Sequence, residues 1–282
     1  MKLEIAKKKI DNQLVNAIYS KSDLNRFHPI RVIQAIKSLV GIDIANPNQK
    51  LLLWSENYLS KEYFFKDNHF AYKIDKPSET IVISNLGKYI LTKDMRASEK
   101  ELQDLYLVSD GSQIFEYLLE FASMNSIQSI PFIWSAYRVG MFLENKHYYS
   151  LLFLSIKVLI KDIDRETGIL SKFENICIFE SIRNNPLTRK KRINESLHSI
   201  LFESDFFQQR IYKDPIDVVE KGRIAILHYI NDLDSKYITP ELILFLDACR
   251  MVLKDSTPFN HLKVENSLNY IIEETLYAQK NW

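Results

Sequence analysis

Apolar positions recur at three- and four-residue spacing along most of this chain, the signature of amphipathic helices. From residue 98 onward that spacing predicts helices only: 98–108, 112–126, 131–144, 147–162, 168–184, 187–206, 215–232, 239–254 and 259–279. Their starts carry local signals. Asn46-Pro47, Asp214-Pro215 and Thr239-Pro240 each set a capping side chain before a proline at the first helical position. Ser98-Glu99-Lys100-Glu101 reads as a capping box ahead of Leu102. The first 95 residues break the pattern. Helices are predicted over 5–20, 29–40 and 47–63, after which 69–75 (HFAYKID) and 80–84 (TIVIS) have strand composition. Lys76-Pro77-Ser78-Glu79 between them reads as a hairpin turn, and Ser84 is placed to cap a helix that follows.

The reading is a mainly α protein: three helices and a β-hairpin over residues 1–95, then an all-α helical domain over 96–282. Composition agrees. Six glycines in 282 residues argue against sheet-rich folds with many tight turns, and 46% hydrophobic with 26% charged residues describes a globular chain. AIKSLVGID (35–43), SIKVLIKDI (155–163) and ACRMVLKDS (248–256) look alike but start at unequal spacings, so they are similar helix endings and not a repeat. The longest apolar candidate, YYSLLFLSIKVLI at 148–160, holds Lys157 and is too short to cross a bilayer, so no membrane contact is expected. The start, MKLEIAKKKID, lacks the apolar core of a secretory signal. Cys177 and Cys249 sit singly in apolar runs, as buried thiols of a cytoplasmic protein would.

Charge is divided unevenly. The net charge is +1, but residues 1–93 hold 15 Lys/Arg against 9 Asp/Glu, and the rest of the chain carries the acidic excess. A basic end of this kind points to an anionic partner such as nucleic acid.

On a helical wheel for 47–63, Leu51, Leu52, Trp54, Tyr58 and Leu59 share one arc, while Lys50, Asn57 and Lys61 form a stripe opposite, with Leu53 and Ser60 beside it. Three helices, a hairpin, and Ile83-Ser84-Asn85-Leu86-Gly87-Lys88 leading into a helix resemble a winged helix-turn-helix, whose last wing strand often enters a helix through Leu-Thr-x-Leu-Gly-Lys/Arg. The resemblance covers the N-terminal third. It implies that 47–63 is a recognition helix lying in the major groove of duplex DNA, that Lys50 and Lys61 meet phosphates or guanine, and that Asn57 pairs with adenine. Lys73 and Lys76 would act from the wing. Gly87 would sit where a side chain collides with a neighbouring helix.

Catalytic patterns are few. The sequence has no Gly-rich phosphate loop, G-x-S-x-G elbow, H-E-x-x-H or paired C-x-x-C. Glu144-x-x-His147 and Glu195-x-x-His198, with Glu120 and Glu180 on the preceding helices, resemble the ligand order of di-iron carboxylate bundles. Against that, Asn145-Lys146 reads as a helix break, and Ile193, Leu197 and Ile200 turn the core side of their helix away from Glu195 and His198. His28, His69, His228 and His261 have no partner pattern. Arg189-Lys190-Lys191-Arg192 places cations in a helix first turn, which the dipole disfavours unless an anion sits nearby. The function expected is therefore non-enzymatic: duplex DNA bound by the N-terminal domain, with the helical domain forming a homodimer or docking a protein partner, and no cofactor or metal. The alternatives are a di-iron oxidase in the helical domain and a pure protein-interaction module.

Overall fold

The computed structural model describes residues 3–65, 80–163 and 223–255. These hold ten α-helices: α1 (Leu3–Ile18), α2 (Pro29–Val40), α3 (Gln49–Leu59), α4 (Ile83–Leu91), α5 (Met95–Val108), α6 (Gly111–Asn125), α7 (Ile130–Phe142), α8 (Tyr148–Asp162), α9 (Arg223–Asp232) and α10 (Pro240–Asp255). Single 3-10 turns lie at Ile127–Ser129 and Ser235–Tyr237. The mainly helical class is thus observed, and no described helix is long and apolar enough to cross a membrane. The helices expected at 168–184, 187–206 and 259–279, and the Arg189–Arg192 run, lie outside the described residues.

The β-hairpin expected over 69–84 is not seen. Its first strand and its tip lie outside the described residues, and its second strand does not form: Thr80–Val82 are irregular and Ile83 and Ser84 open α4. The cap is Val82, without a side-chain bond, so Ser84 does not cap. β-branched composition over 80–84 is outweighed by a helical period, because Leu86 and Ile90 are fully buried four residues apart. The buried Glu101 of α5 accepts a hydrogen bond from the Val82 N–H, which sets a carboxylate at the positive end of α4. One isolated antiparallel bridge, Ser20 with Phe64, is the β-pairing among the described residues.

Other starts shift by a few residues. Helix α3 opens two residues later than Pro47 suggests, capped by Asn48, whose side chain accepts from the Leu51 N–H. Asn46 is instead tied to Asp43 through its backbone N–H at 3.1 Å. Helix α5 begins at Met95 with Asp94 as cap, so Ser98 is an enclosed interior residue and not the head of a capping box. The Thr239-Pro240 start is as read, with the Leu242 N–H donating to Thr239 Oγ1 at 3.2 Å.

Contacts divide the chain into two units that interleave in sequence: residues 1–17, 32–62 and 194–282 form one, and 18–31 with 63–193 form the other. The line at 95/96 falls inside the second unit. In the first unit, α2 is buried along most of its length through Val32, Ile33, Ile36 and Leu39. Helix α1 lies on α3, with Gln13 Nε2 donating to the Leu52 carbonyl and Ser55 Oγ donating to Gln13 Oε1. In the second unit α4 packs on α5, α6 on α7, and α8 against all four, around Leu102, Ile114, Phe115, Ile133, Val139 and Leu151.

Small residues make room for rings in that bundle. Tyr148, at the start of α8, lies in contact with Gly111 and Gly140 where a Cβ would stand, and edge-on to Phe115 at 5.5 Å between centroids. Gly87 is buried under the Tyr117 hydroxyl and within 3.1 Å, measured from an added Cβ, of the Phe121 ring.

Candidate functional site

Helix α3 is where the sequence concentrates expectation. Its apolar side holds Leu51, Leu52 and Leu59 in the core. Trp54 and Tyr58 are half-buried and stacked at 5.2 Å, with Trp54 Nε1 donating to the Ile238 carbonyl at 2.8 Å. The opposite face exposes Leu53 and Asn57, whereas Lys61, expected on the same helix, is exposed in the turn beyond it because α3 ends at Leu59. Asn57 and Lys61 make no side-chain bond among the described residues. Glu56, beside them, is paired at 2.8 Å with Lys9 of α1, which carries the exposed Lys7 and Lys8 on the preceding turn.

Lys50 is placed differently. Its Nζ donates to the carbonyls of Ile230, Asn231 and Leu233 at 3.1, 2.6 and 2.7 Å. Those carbonyls close the C-terminus of α9, where a helix leaves acceptors unsatisfied and favours a cation. All three ammonium protons are thus committed within the unit. Lys73 and Lys76 lie outside the described residues.

Beside that clasp is a cleft of about 630 Å³ lined by Asp43, Asn46, Lys50, Leu227, His228 and Asn231, among others. Its polar groups largely satisfy one another. Asn48 Nδ2 donates to Asn231 Oδ1 at 2.8 Å, and Asn46 Nδ2 to Asp43 Oδ2 at 3.3 Å. It is a seam between α3 and α9 more than a set of converging free donors.

Of the six carboxylate and imidazole positions, Glu180, Glu195 and His198 lie outside the described residues. Glu144 and Asn145 have positive φ, 56° and 67°, and form the turn between α7 and α8, where Glu144 pairs with Lys146 at 3.4 Å. Glu144 and His147 therefore do not share a helical face. His147 Nδ1 is 3.4 Å from the Tyr19 hydroxyl, and burial, with Lys146 nearby, lowers its pKa. Among the described residues no three metal-binding side chains converge.

One buried cluster lies outside the motifs above. His28 heads α2, its Nδ1 accepting the Ile30 N–H at 3.2 Å, and it is fully enclosed beside Phe132. Burial, with Arg31 and Lys161 nearby, holds its pKa down at about 3, so the ring is neutral. Three residues on, Arg31 is only 9% exposed. The available signal was His28-Pro29, a polar residue before a proline at a helix start, with a cation one turn later. No family model matches the chain, and no curated protein or solved structure matches it.

Proposed function

We propose that this chain is a non-enzymatic nucleic-acid-binding protein that meets duplex DNA with the outer face of α3. The observation that carries the reading is Asn57 on the outer face of α3 and Lys61 in the turn just after it, both exposed and without a side-chain bond among the described residues, with the adjacent Glu56 carboxylate neutralised by Lys9. An amide of this kind can read adenine, and a lysine can neutralise a phosphate. Lys7 and Lys8 on α1 extend the basic surface of the same unit. Lys73 and Lys76 enter as candidates from the sequence alone. Lys50 is left out, because its charge closes α9.

Binding of duplex DNA by the full chain, measured across salt concentrations, tests this. Phosphate contacts give a log–log slope of about −0.9 per phosphate neutralised. Lys61→Ala is expected to weaken binding to every sequence and to reduce the slope by about one. Asn57→Ala is expected to leave the slope intact and to relax sequence preference. A folded chain that binds no duplex at low salt overturns the proposal. A second reading, docking of a protein partner, is favoured by Leu53, 56% exposed in the middle of the same face. Leu53→Asp separates the two: it abolishes a protein contact and only weakens a phosphate-driven one.

A further inference from the structure

The exposed residues of α3 are Gln49, Leu53, Glu56 and Asn57, and the helical period sets them within one arc of about 100°. Three of them stand one turn apart: an amide at Gln49, an alkyl side chain at Leu53 and an amide at Asn57. Neither amide makes a side-chain bond among the described residues. Glu56, the carboxylate in the arc, is engaged by Lys9 at 2.8 Å. What fixes the helix lies on its other sides. Leu51, Leu52 and Leu59 are in the core, and Lys50 and Trp54 donate to backbone carbonyls of the same unit. The stripe is thus carried on an anchored helix without being used to hold it.

That order of groups has a chemical complement. In the major groove adenine presents the N7 acceptor beside the N6 donor, and thymine carries a C5 methyl. A carboxamide offers one acceptor beside a donor and meets the adenine edge with two hydrogen bonds. Guanine presents two acceptors and calls for arginine or a lysine ammonium. The cation of α3, Lys50, is committed to α9. Cytosine N4 calls for a carboxylate, and Glu56 already has its partner. Leu53 has no polar atom to offer, so its complement is the thymine methyl. From Gln49 to Asn57 the stripe rises about 12 Å, or about three to four base steps.

We propose that Gln49, Leu53 and Asn57 make α3 selective for A·T-rich duplex, the two amides pairing with adenine edges and Leu53 meeting a thymine methyl between them. This rests on the reading of α3 as the helix that meets DNA, and adds the class of sequence it selects.

Three duplexes of equal length test it, bound to the full chain and followed by fluorescence anisotropy at one low salt concentration. One alternates A and T, the second carries uracil for every thymine, and the third alternates G and C. The A·T duplex is expected to bind about tenfold or more tighter than the G·C duplex. Uracil lacks only the methyl, and its duplex is expected to bind about fourfold more weakly than the thymine form. Leu53→Ala is expected to bind the thymine and uracil duplexes equally. Gln49→Ala and Asn57→Ala are each expected to lower the ratio of A·T to G·C affinity about fivefold or more, with the salt slope intact. An unchanged ratio in both amide variants, or a uracil penalty retained in Leu53→Ala, overturns the proposal. So does equal affinity of the native chain for thymine and uracil duplexes, a result that needs no variant to fold. Equal binding of A·T and G·C duplexes overturns the selectivity alone, provided that the salt slope still falls in Lys61→Ala. Absence of binding to all three overturns the duplex-binding reading as well.

Discussion

Tyr148 shows how much a glycine can matter without unusual backbone angles. Its ring occupies the space a side chain would take at Gly111 and Gly140, so both positions are selected by volume. Gly140→Ala must displace a buried ring, and a loss of about 1–3 kcal/mol is expected, as for other overpacked cores. The denaturant midpoint measures it. Gly87→Val is expected to fall in the same range of about 1–3 kcal/mol, since the Tyr117 hydroxyl can swing aside but the Phe121 ring must also yield. An unchanged midpoint in either variant means that the rings have room to spare. His28 adds a pH dependence. Its folded pKa, about 3, lies below the unfolded value of 6.5, so the unfolded chain binds the extra proton first. Stability from this group is complete above pH 6.5 and declines as pH falls toward 3, by up to about 1.4 kcal/mol per pH unit. Midpoints at pH 7 and 5 are expected to differ less in His28→Gln than in the native chain.

Single elements record how local signals and tertiary contacts compete. Thr239-Pro240 predicts the start of α10 because capping hydroxyl and proline act within one turn. The same logic misplaces α3, where Asn46 is drawn to Asp43 and Asn48 takes the capping role. In Ile81-Val82-Ile83 the strand propensity is real, yet α4 forms because Leu86 and Ile90 find a core and Glu101 reaches back to its first turn. That carboxylate is 18 positions away or more from the residues it organises, so no local window contains it. The Lys50 clasp on α9 is equally non-local. Its wheel position suggests a groove-facing lysine, and only the folded unit reveals three carbonyls around its Nζ. Lys50→Met is expected to cost about 1–3 kcal/mol, as for hydrogen bonds to charged groups, and to leave the DNA salt slope unchanged. A slope reduced by one with stability intact would return Lys50 to the groove.

At the scale of the whole molecule, the division at 95/96 follows composition, whereas the contacts follow a different partition. Residues 1–95 alone lack the carbonyls that receive Lys50 and Trp54 and the amide that receives Asn48. Expressed as a fragment, they are expected to unfold without a cooperative transition by circular dichroism, and a sharp transition would show that α1–α3 suffice by themselves. The exposure of Asn57 was legible, since it follows from helical period alone, whereas Lys61, on the same expected stripe, lies in the turn after α3. The burial of Arg31 was not legible, because burial of a cation depends on what folds over it. The interleaving also bears on synthesis. Asn48 leaves the ribosome 183 residues before its partner Asn231. At roughly 5–20 residues per second, that interval is on the order of ten to forty seconds. Helices α4 to α8, contiguous in the chain, can assemble within the wait, while the surface of α3 that will receive α9 has no cover. The nascent chain therefore has an early, half-finished face made before its completing strand of sequence exists, and a holding chaperone at the ribosome is the factor whose loss should lower its yield most.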